Sequence, residues 1–462
     1  MVTGLLTIGC LVGFAEGAMA QIVEARSEVS KSEMDAKAAD EAWNQWGQWR
    51  GPIGTGESPT AKPPTRWSET ENVRWKTRLP GMGHSTPVVW AQTVIITTAI
   101  PFGQKFESIP DSAPGTHDNL PVSQEFKFVA VGLDRANGKI KWQTELHTSI
   151  PHEGSHVSGS LASASPIIDG THVIVSFGTY GIYCLDLDGK LVWEKSLGKM
   201  NTKHGHGEGA SPALFGNTLI VNWDHEGQSF IVALDKRTGN EIWRQPRREV
   251  TSWSSPVIYT HNDVTQVIVA GSSAVRGYDL KTGGILWECS GLSNNIVATP
   301  IARDGIVFVG SSYEIKSMFA IDLEGAVGDI TGTENVIWKR STRTPYVPSP
   351  LLYRGSLFFL RHYQGVLSIV DAKTGEETIG PFRLNGIRDL YASPVAADGK
   401  IYLTDRDGIT LVISQPDLPR LLSANKLDDR FSASIAMAGS DLFLRGEKFL
   451  YCLSEGQTPD KP

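Results

Sequence analysis

The stretch LDKRTGNEIW (234–243) contains the pattern that decides the fold. An apolar run ends at Asp235, and Thr238 and Gly239 form a tight turn, because glycine adopts the positive φ that such a turn requires. The chain then enters a second strand-like run that ends at Trp243. The stretch therefore predicts two antiparallel strands that carry a tryptophan to a fixed position.

The same pattern recurs along the chain, and most copies end in tryptophan. The further copies are LDRANGKIKW (133–142), LDLDGKLVW (185–193), YDLKTGGILW (278–287), IDLEGAVGDITGTENVIW (321–338), which has an inserted turn, and VDAKTGEETIG (370–380), which lacks the tryptophan. We interpret the tryptophans as structural side chains at the seams between neighbouring repeats: Trp142, Trp193, Trp243, Trp287 and Trp338. Ligand platforms are the alternative interpretation.

A second mark, a small residue followed by proline and an apolar run, precedes these turns. Its copies are STPVVW (85–90), ASPIID (164–169), ASPALF (210–215), SSPVIY (254–259), ATPIAR (298–303), PSPLLY (348–353), YASPVAAD (391–398) and the degenerate SASIAMAG (432–439). Most copies are about 44 residues apart, and the polar insertion 101–125 lengthens the first interval. Four short strands repeated at this period are typical of propeller blades.

The last repeat lacks an outer strand, and the segment ENVRWKTRL (71–79) before the first repeat supplies one. Trp75 stands where the repeat has its tryptophan. We therefore predict an all-β, eight-bladed β-propeller of four-stranded antiparallel blades over residues 46–457. The N-terminal strand pairs with the C-terminal blade, which leaves no free edge in the ring. Trp46, Trp49 and Arg50 are expected to pack across the rim.

The N-terminus predicts export. Residues 1–20 combine an apolar stretch with Ala18-Met19-Ala20, which fits a signal peptide cleaved after Ala20, and a polar mobile segment follows at 21–45. We expect a periplasmic or extracellular protein, monomeric, with no transmembrane segment after cleavage. Cys10 is a poor lipoprotein signal, and the three later cysteines are too scattered for a disulfide framework, which suggests small buried hydrophobes.

The charge argues against nucleic acid as a partner. The formal net charge is −7, and no lysine- or arginine-rich run occurs. Binding to a phosphate backbone depends on such positive charge. We therefore expect no nucleic-acid partner.

The repeats resemble those of the pyrroloquinoline quinone (PQQ) repeat propellers over nearly all of residues 72–455. Within this superfamily the chain is similar to secreted bacterial propellers of the BamB-like subgroup, and W-x-x-W-R-G-P at 46–52 also resembles a bacterial subgroup. The BamB-like resemblance implies a non-catalytic scaffold, whereas quinoprotein dehydrogenases imply PQQ, Ca²⁺ and an Asp base. The adjacent-cysteine disulfide of those dehydrogenases has no counterpart here, and their calcium ligands match no motif.

One face of the propeller is predicted to form a polar funnel. The segments before each inner strand and the loops between the second and third strands meet at one mouth of the central channel, and convergent polar groups in a concavity bind ligands. The residues expected there are His156, His204, His206, Glu208, Trp223, Asp224, His225, Asn294, Asn295, Arg343, Tyr346, Arg361, His362, Arg388, Asp389, Asp405, Arg406 and Asp407. His84 is interpreted as a solvated loop residue.

The stretch HGHGEGASP (204–212) is the richest part of this funnel. If residues 204–208 are extended, His204, His206 and Glu208 share one face, and Asp224 and His225 belong to the same blade. Imidazole and carboxylate groups of this kind bind divalent metals or transfer protons. The alternatives are an irregular glycine-rich loop or binding of a small polar ligand or saccharide.

These observations favour a secreted binding or scaffold module that uses the funnel for a cell-envelope protein or a small polar or saccharide ligand. The alternative is an enzyme at the same funnel, either a PQQ-dependent dehydrogenase or a metal-dependent one.

Overall fold

Each predicted repeat forms one sheet in the computed structural model, which describes residues 42–415 and 419–457. The predicted signal peptide and residues 21–41 lie outside the described residues. Two 3-10 turns, Gly178–Tyr180 and Lys203–Gly205, accompany the strands. None of the described helical segments has the length and hydropathy needed to cross a membrane.

The strands are short and follow one another closely. The first half of the chain contains β1 (Val73–Arg78), β2 (Val88–Trp90), β3 (Thr93–Phe102), β4 (Asn119–Leu120), β5 (Glu125–Asp134), β6 (Ile140–Ser149), β7 (Ser155–His156), β8 (Ile167–Ile168), β9 (Val173–Ser176), β10 (Ile182–Leu185), β11 (Leu191–Lys195), β12 (Ala213–Phe215), β13 (Thr218–Trp223), β14 (Phe230–Asp235) and β15 (Glu241–Pro246). The second half contains β16 (Val257–His261), β17 (Val264–Ala270), β18 (Ala274–Asp279), β19 (Ile285–Ser290), β20 (Ile301–Arg303), β21 (Ile306–Ser311), β22 (Ser317–Asp322), β23 (Gly328–Asp329), β24 (Val336–Arg340), β25 (Leu351–Tyr353), β26 (Ser356–Leu360), β27 (Val366–Asp371), β28 (Glu377–Arg383), β29 (Val395–Ala397), β30 (Lys400–Thr404), β31 (Ile409–Ser414), β32 (Leu421–Lys426), β33 (Ala436–Ala438), β34 (Asp441–Arg445) and β35 (Phe449–Leu453).

The strands form eight blades, which confirms the predicted architecture. Blades 1 to 7 have the orders β2-β3-β5-β6, β8-β9-β10-β11, β12-β13-β14-β15, β16-β17-β18-β19, β20-β21-β22-β24, β25-β26-β27-β28 and β29-β30-β31-β32. The inserted turn of the fifth repeat adds β23 in parallel to the outer strand of blade 4. The second and third strands of each blade are mostly buried, which places the core between adjacent sheets.

The two chain ends close the ring as predicted. Strand β1 pairs antiparallel with β35, with Trp75 opposite Cys452, and completes blade 8 in the order β1-β35-β34-β33. Arg74 also reaches the buried Asp441 of this blade, with Nη1 at 2.9 Å from the carboxylate. No unpaired strand is left at the seam where the ring would otherwise open.

Each repeat tryptophan packs on the turn of the next blade. The Trp193 Nε1–H donates to the Lys236 carbonyl at 2.7 Å, and its ring covers Gly239 so closely that a Cβ there would lie 2.7 Å from the ring. Four other repeat tryptophans make the same two contacts. The bonds run from Trp75 to the Arg135 carbonyl, Trp142 to Leu187, Trp243 to Leu280 and Trp338 to Ala372, and the glycines covered are, in the same order, Gly138, Gly189, Gly283 and Gly375. The turn requires glycine for two reasons: its φ is positive, and the tryptophan ring above it leaves no room for a Cβ atom.

Trp287 departs from this arrangement. Its indole N–H donates to Gln266 Oε1 within its own blade at 2.6 Å. The next blade has the inserted turn, and its Gly325 has no neighbour within 4 Å of a Cβ position. The insertion therefore removes the usual carbonyl partner, although Trp287 stays buried in the seam.

A ring of hydroxyl groups joins the inner strands. At the small residue before each proline, the backbone N–H of one blade donates to the hydroxyl of the next. The bonds are Thr86 to Ser165 (3.0 Å), Ser165 to Ser211 (2.9 Å), Ser211 to Ser255 (2.9 Å), Ser255 to Thr299 (3.4 Å), Thr299 to Ser349 (3.0 Å), Ser349 to Ser393 (2.9 Å) and Ser393 to Ser434 (2.9 Å). At the remaining seam, the Arg445 guanidinium donates to Ser85 Oγ.

Residues 46–50 cross the channel. The prediction that Trp46, Trp49 and Arg50 pack across the rim is therefore wrong. Trp46 is buried and pairs with Val89 of blade 1, and the Trp49 indole donates to Thr299 of blade 5 at 3.2 Å. Arg50 is buried and donates to the carbonyls of Pro350 (2.5 Å) and Pro394 (2.9 Å) in blades 6 and 7. These carbonyls lie at the inner strands, which is why the segment ends up on the propeller axis.

The cysteines behave as predicted. Cys184, Cys289 and Cys452 are free and buried in strands of different blades. Burial raises the pKa of each thiol, which keeps the groups protonated.

The tryptophan–glycine contact generates a paired test. Gly239→Ala and Gly216→Ala both place a methyl group on a positive-φ backbone, φ +70° and +58°, but only Gly239 lies under a ring. We expect Gly216→Ala to cost about 1 kcal/mol of unfolding free energy, and Gly239→Ala a further 1 to 3 kcal/mol, roughly, from overpacking. Urea unfolding measures both, and equal losses would contradict the packing role.

Candidate ligand site at the channel mouth

The inner strands enclose a cavity of about 420 Å³ on the face that carries the loops before each inner strand. Trp49 lies at its closed end, and the hydroxyl ring surrounds it. This volume falls within the roughly 300–1,000 Å³ usual for small-molecule sites.

The hydroxyl ring supplies hydrogen-bond donors to this cavity. Ser211, Ser349 and Ser393 are typical members, and each oxygen accepts a backbone N–H from the preceding blade. That bond uses a lone pair and leaves the hydroxyl proton free to be donated. The same side chains therefore join the blades and line the cavity.

One wall of the cavity is aromatic. Tyr313 stacks on Tyr346 with ring centres 5.7 Å apart, and His362 lies 4.7 Å from Tyr346. Tyr363 follows at 5.4 Å from His362 and stacks on Tyr391 at 5.6 Å. The four tyrosines line the cavity and bring aromatic rings and phenol groups to this wall.

The opposite wall contains four histidines. His206 lies 4.8 Å from both His117 and His156 and 5.3 Å from His204, measured between ring centres. His117 comes from the insertion between the second and third strands of blade 1. Asn119 of the same insertion donates to the carbonyls of residues 204 and 205 at 2.8 and 3.0 Å, which fixes the insertion against blade 3.

The hydrogen bonds of two histidines define opposite roles for their rings. His206 Nδ1 donates to Asn119 Oδ1 at 2.8 Å, so its Nε2 is left as an acceptor. His156 Nδ1 accepts from the Ser158 backbone N–H at 3.2 Å, so its Nε2 is left as a donor. The wall therefore offers both kinds of hydrogen-bonding group.

The lining is nearly free of charge. Burial lowers the pKa of His84 to about 3 and that of His206 to about 4, and it also lowers the pKa of His156. The nearby Arg445 and Arg406 lower the pKa of His84 further, whereas Asp118 opposes the shift at His156. These rings are therefore neutral at pH 7. Among the described lining residues there is no lysine or arginine, and the carboxyl groups are those of Asp118 and Glu208.

Two buried lining atoms lack a protein hydrogen-bond partner among the described residues, His84 Nε2 and Asn295 Oδ1. Asn295 Nδ2 donates to the Tyr346 hydroxyl at 2.9 Å, which fixes the amide. Unpaired buried polar atoms cost free energy, and a bound polar ligand would satisfy them. The interpretation of His84 as a solvated loop residue is wrong, because its ring forms part of the cavity wall.

Several residues around the same mouth have strained backbone conformations. The non-glycine residues with positive φ there are Asp118 (52°), His204 (59°), Tyr313 (82°), Arg343 (51°) and His362 (58°). Such conformations cost roughly 1–3 kcal/mol each and are found where surrounding structure holds functional groups in place.

The predicted extended geometry of residues 204–208 is wrong. Lys203–Gly205 form a 3-10 turn, and His204 has a left-handed backbone. Glu208 consequently points away from the histidines and accepts from the backbone N–H of Thr179 at 2.8 Å and from its hydroxyl at 2.5 Å. Gly178 makes this possible, since a Cβ there would lie 1.3 Å from the Glu208 carboxylate.

The five proposed metal ligands are not brought together. Asp224 forms a fully buried ion pair with Arg247 at 2.7 Å, which restrains its loop. His225 lies in a tight turn in which its N–H donates to Ser229. In residues 42–415 and 419–457, no three His, Cys, Asp or Glu side chains lie at metal-binding spacing.

A side chamber of about 50 Å³ lies behind the histidine wall, between blades 2 and 3. Trp223 and Asp224 line it together with Glu208 and the Glu153–Thr202 pair. Burial raises the pKa of Glu208 to about 8, although the Thr179 donors oppose the shift. Burial likewise raises the pKa of Glu153. These carboxyl groups tie loops together at the base of the mouth.

The remaining predicted residues lie around the rim rather than in the cavity. Arg343 pairs with Glu377 at 2.5 Å. Arg406 pairs with Asp389 at 3.3 Å and covers the Tyr391 ring at 5.1 Å. Asp405 accepts the N–H groups of residues 407 and 409 and so closes a turn. The exposed rim residues are Asn294, Arg361, Arg388 and Asp407.

Sequence reasoning missed several lining residues. Trp49, His117, Asp118, Trp253, Tyr313, Tyr363 and Tyr391 all lie at the cavity. Tyr313 and Tyr363 lie between the second and third strands of blades 5 and 6, and Tyr391 precedes the inner strand of blade 7. Both kinds of loop were predicted to reach this face, which could have identified these residues. His117 carries no such signal, since it belongs to an insertion without a repeat partner.

Comparison with known proteins identifies relatives of two kinds. A family described as outer membrane protein assembly factor BamB matches residues 65–218 and 227–415. BamB of Shewanella oneidensis is 24% identical over 320 residues, covering 65% of this chain and 74% of that protein. Methanol dehydrogenase (cytochrome c) subunit 1 of Methylobacterium organophilum is 25% identical over 311 residues, covering 57% of this chain and 47% of that protein.

The fold is also shared with solved structures. Quinohemoprotein alcohol dehydrogenase from Comamonas testosteroni superimposes with a TM-score of 0.60, covering 92% of this chain and 85% of that one, at 10% sequence identity. At this identity the likeness extends to the fold alone.

The buried Glu208 carboxyl generates a pH test. Its pKa is about 8 when folded and 4.5 ordinarily, so between these values the folded chain holds a proton that the unfolded chain has released. Stability from this group is complete below pH 4.5 and is lost as the pH rises through 8. We expect the unfolding free energy of wild type minus that of Glu208→Gln to fall by about 1 kcal/mol per pH unit between pH 5 and 8.

Glu226→Gln is the matched control. Glu226 accepts from the N–H and hydroxyl of Thr251 as Glu208 does from Thr179, but it is exposed. Its variant should show no such slope. A flat difference curve for Glu208→Gln, measured by urea unfolding at each pH, would show that the raised pKa is wrong.

Proposed function

This chain belongs to the family of outer membrane protein assembly factor BamB, and from that premise we propose that it is a non-catalytic binding module of the cell envelope. The channel mouth is the binding site. The observation that carries this proposal is the 420 Å³ cavity, closed by Trp49 and lined by hydroxyl, imidazole and phenol groups. It provides a concave surface with many hydrogen-bonding groups.

The absence of paired reactive groups at the cavity supports a binding role. The Glu208 carboxyl, whose raised pKa would suit acid–base chemistry, is occupied by Thr179. The histidines bond to one another's loops and to Asn119. In the described residues these groups stabilise the mouth rather than converge on a single point.

The family also suggests the setting. Its relatives are named for the assembly of outer-membrane proteins. We propose a periplasmic or extracellular location for the mature chain, with either a cell-envelope protein or a small polar ligand as partner.

A PQQ-dependent dehydrogenase is the second candidate, favoured by the dehydrogenase relatives. PQQ carries three carboxylates, and the resemblance to these dehydrogenases implies Ca²⁺ beside it. The described lining lacks lysine and arginine, its buried His84, His156 and His206 are neutral, and Asp118 adds negative charge. The residues at this mouth therefore do not fit the cofactor.

A mouth-filling variant tests the proposal. Val347 is partly buried and lines the cavity, so Val347→Trp is expected to fill part of it. Purified wild type should gain thermal stability in a screen of small polar ligands and envelope extracts, and Val347→Trp should lose that response. Val264→Trp, which adds the same ring at an exposed position in a hairpin on the opposite face, should retain it.

Two results would contradict the proposal. One is a ligand response that is equal in Val347→Trp and wild type, since binding would then occur elsewhere. The other is a quinone absorbance spectrum after addition of PQQ and Ca²⁺ together with dye-linked alcohol oxidation, which would favour the dehydrogenase.

A further inference from the structure

We infer that the ligand of the channel mouth is a neutral saccharide; this inference rests on the proposed function. The first argument is the row of tyrosines. Sugar rings have apolar C–H faces that pack on aromatic faces, and amphipathic aromatic residues bind ligands that are apolar on one side and polar on the other. Tyr313 and Tyr346 both line the cavity and stack at an interplanar angle of 17°, with Tyr313 at the exposed end of the pair.

The second argument is the supply of hydrogen-bonding groups. A sugar hydroxyl both donates and accepts, so its site needs both kinds of partner. The ring serines have protons to donate, His206 presents an acceptor and His156 a donor. The orphaned Asn295 Oδ1 adds an acceptor beside the tyrosine wall.

The third argument is charge. The lining holds no guanidinium or ammonium group among the described residues, and the buried His84, His156 and His206 rings are neutral at pH 7. An anionic ligand would find no arginine or lysine among these lining residues and would face Asp118. A cation would meet a single exposed carboxylate, whereas a neutral polyol would find partners on every wall.

The fourth argument is that the aromatic wall is built at a cost. Tyr313 and His362 both have positive φ, at 82° and 58°, and Tyr313 remains more than half exposed at 57%. A large exposed ring in a strained conformation is unfavourable for folding alone. Its position at the open end of the ring row suits contact with a ligand.

Calorimetric titration with chitotriose, maltotriose and cellotriose tests the inference. We expect at least one of them to bind with a Kd between about 10 μM and 10 mM. Tyr313→Ala should weaken this binding by about fivefold to tenfold, because it removes a stacking face. Tyr313→Phe, which keeps the ring, should stay within about twofold.

The controls separate folding from binding and this inference from the proposed function. Phe215→Ala removes an exposed ring in a hairpin on the opposite face and should leave the affinity unchanged. Trigalacturonate, an anionic trisaccharide, should bind at least tenfold more weakly than the best neutral one.

Three results would overturn the inference: no binding of any neutral trisaccharide at about 10 mM, binding unaffected by Tyr313→Ala, or tighter binding of trigalacturonate. If another class of ligand then gives a response that Val347→Trp abolishes, the proposed function stands and the saccharide assignment fails. If Val347→Trp abolishes the stabilising response to none of the compounds, the proposed function fails as well.

Discussion

The structure depends on one repeated hydrogen bond, from the backbone N–H at the start of an inner strand to the hydroxyl of the next blade. It occurs at seven of the eight seams, with distances of 2.9 to 3.4 Å. Each such bond contributes about 1 kcal/mol net, but leaving the buried N–H without a partner costs more. Because the accepting oxygens surround the axis, the contact that joins the blades also determines the chemistry of the channel.

A second belt of contacts, further from the axis, resists opening of the ring. The repeat tryptophans lie on the turn glycines of the next blade, and β1 completes blade 8. The N-terminal segment with Arg50 then ties several inner strands together across the channel. The mouth loops thus extend from strands that are fixed both near the axis, by the hydroxyl ring, and further out, by the tryptophan–glycine contacts. These fixed strands can hold Tyr313, His362 and His204 in backbone conformations that they would otherwise avoid.

The sequence was sufficient to predict the ring because its repeats are marked by residues with a geometric role. Thr238-Gly239 predicts a turn and Trp243 a seam, whatever their tertiary partners are. Trp75 could be placed for the same reason. The loops that meet at the channel mouth could then be predicted, since the order of strands within a blade decides which loops share a face.

The details of the site could not be predicted because they depend on contacts between blades. The alternation of glycine with other residues at 204–208 predicted an extended strand, but the glycines permit a turn. Gly178 has no side chain, so the Glu208 carboxylate can occupy the space beside it. His117 reaches the mouth only because Asn119 bonds to blade 3. The ring serines were noted as small residues before proline, and their hydrogen bonds become visible only when neighbouring blades are in place.

The most direct test of the account is the unfolding free energy of Ser349→Ala, compared with Ser341→Ala at an exposed loop position. If the hydroxyl ring joins the blades, Ser349→Ala leaves the Thr299 N–H without its partner and should lose roughly 1–3 kcal/mol. Ser341→Ala should change the unfolding free energy by less than about 0.5 kcal/mol. Equal values for the two variants would contradict the claim that these hydroxyls hold the ring together.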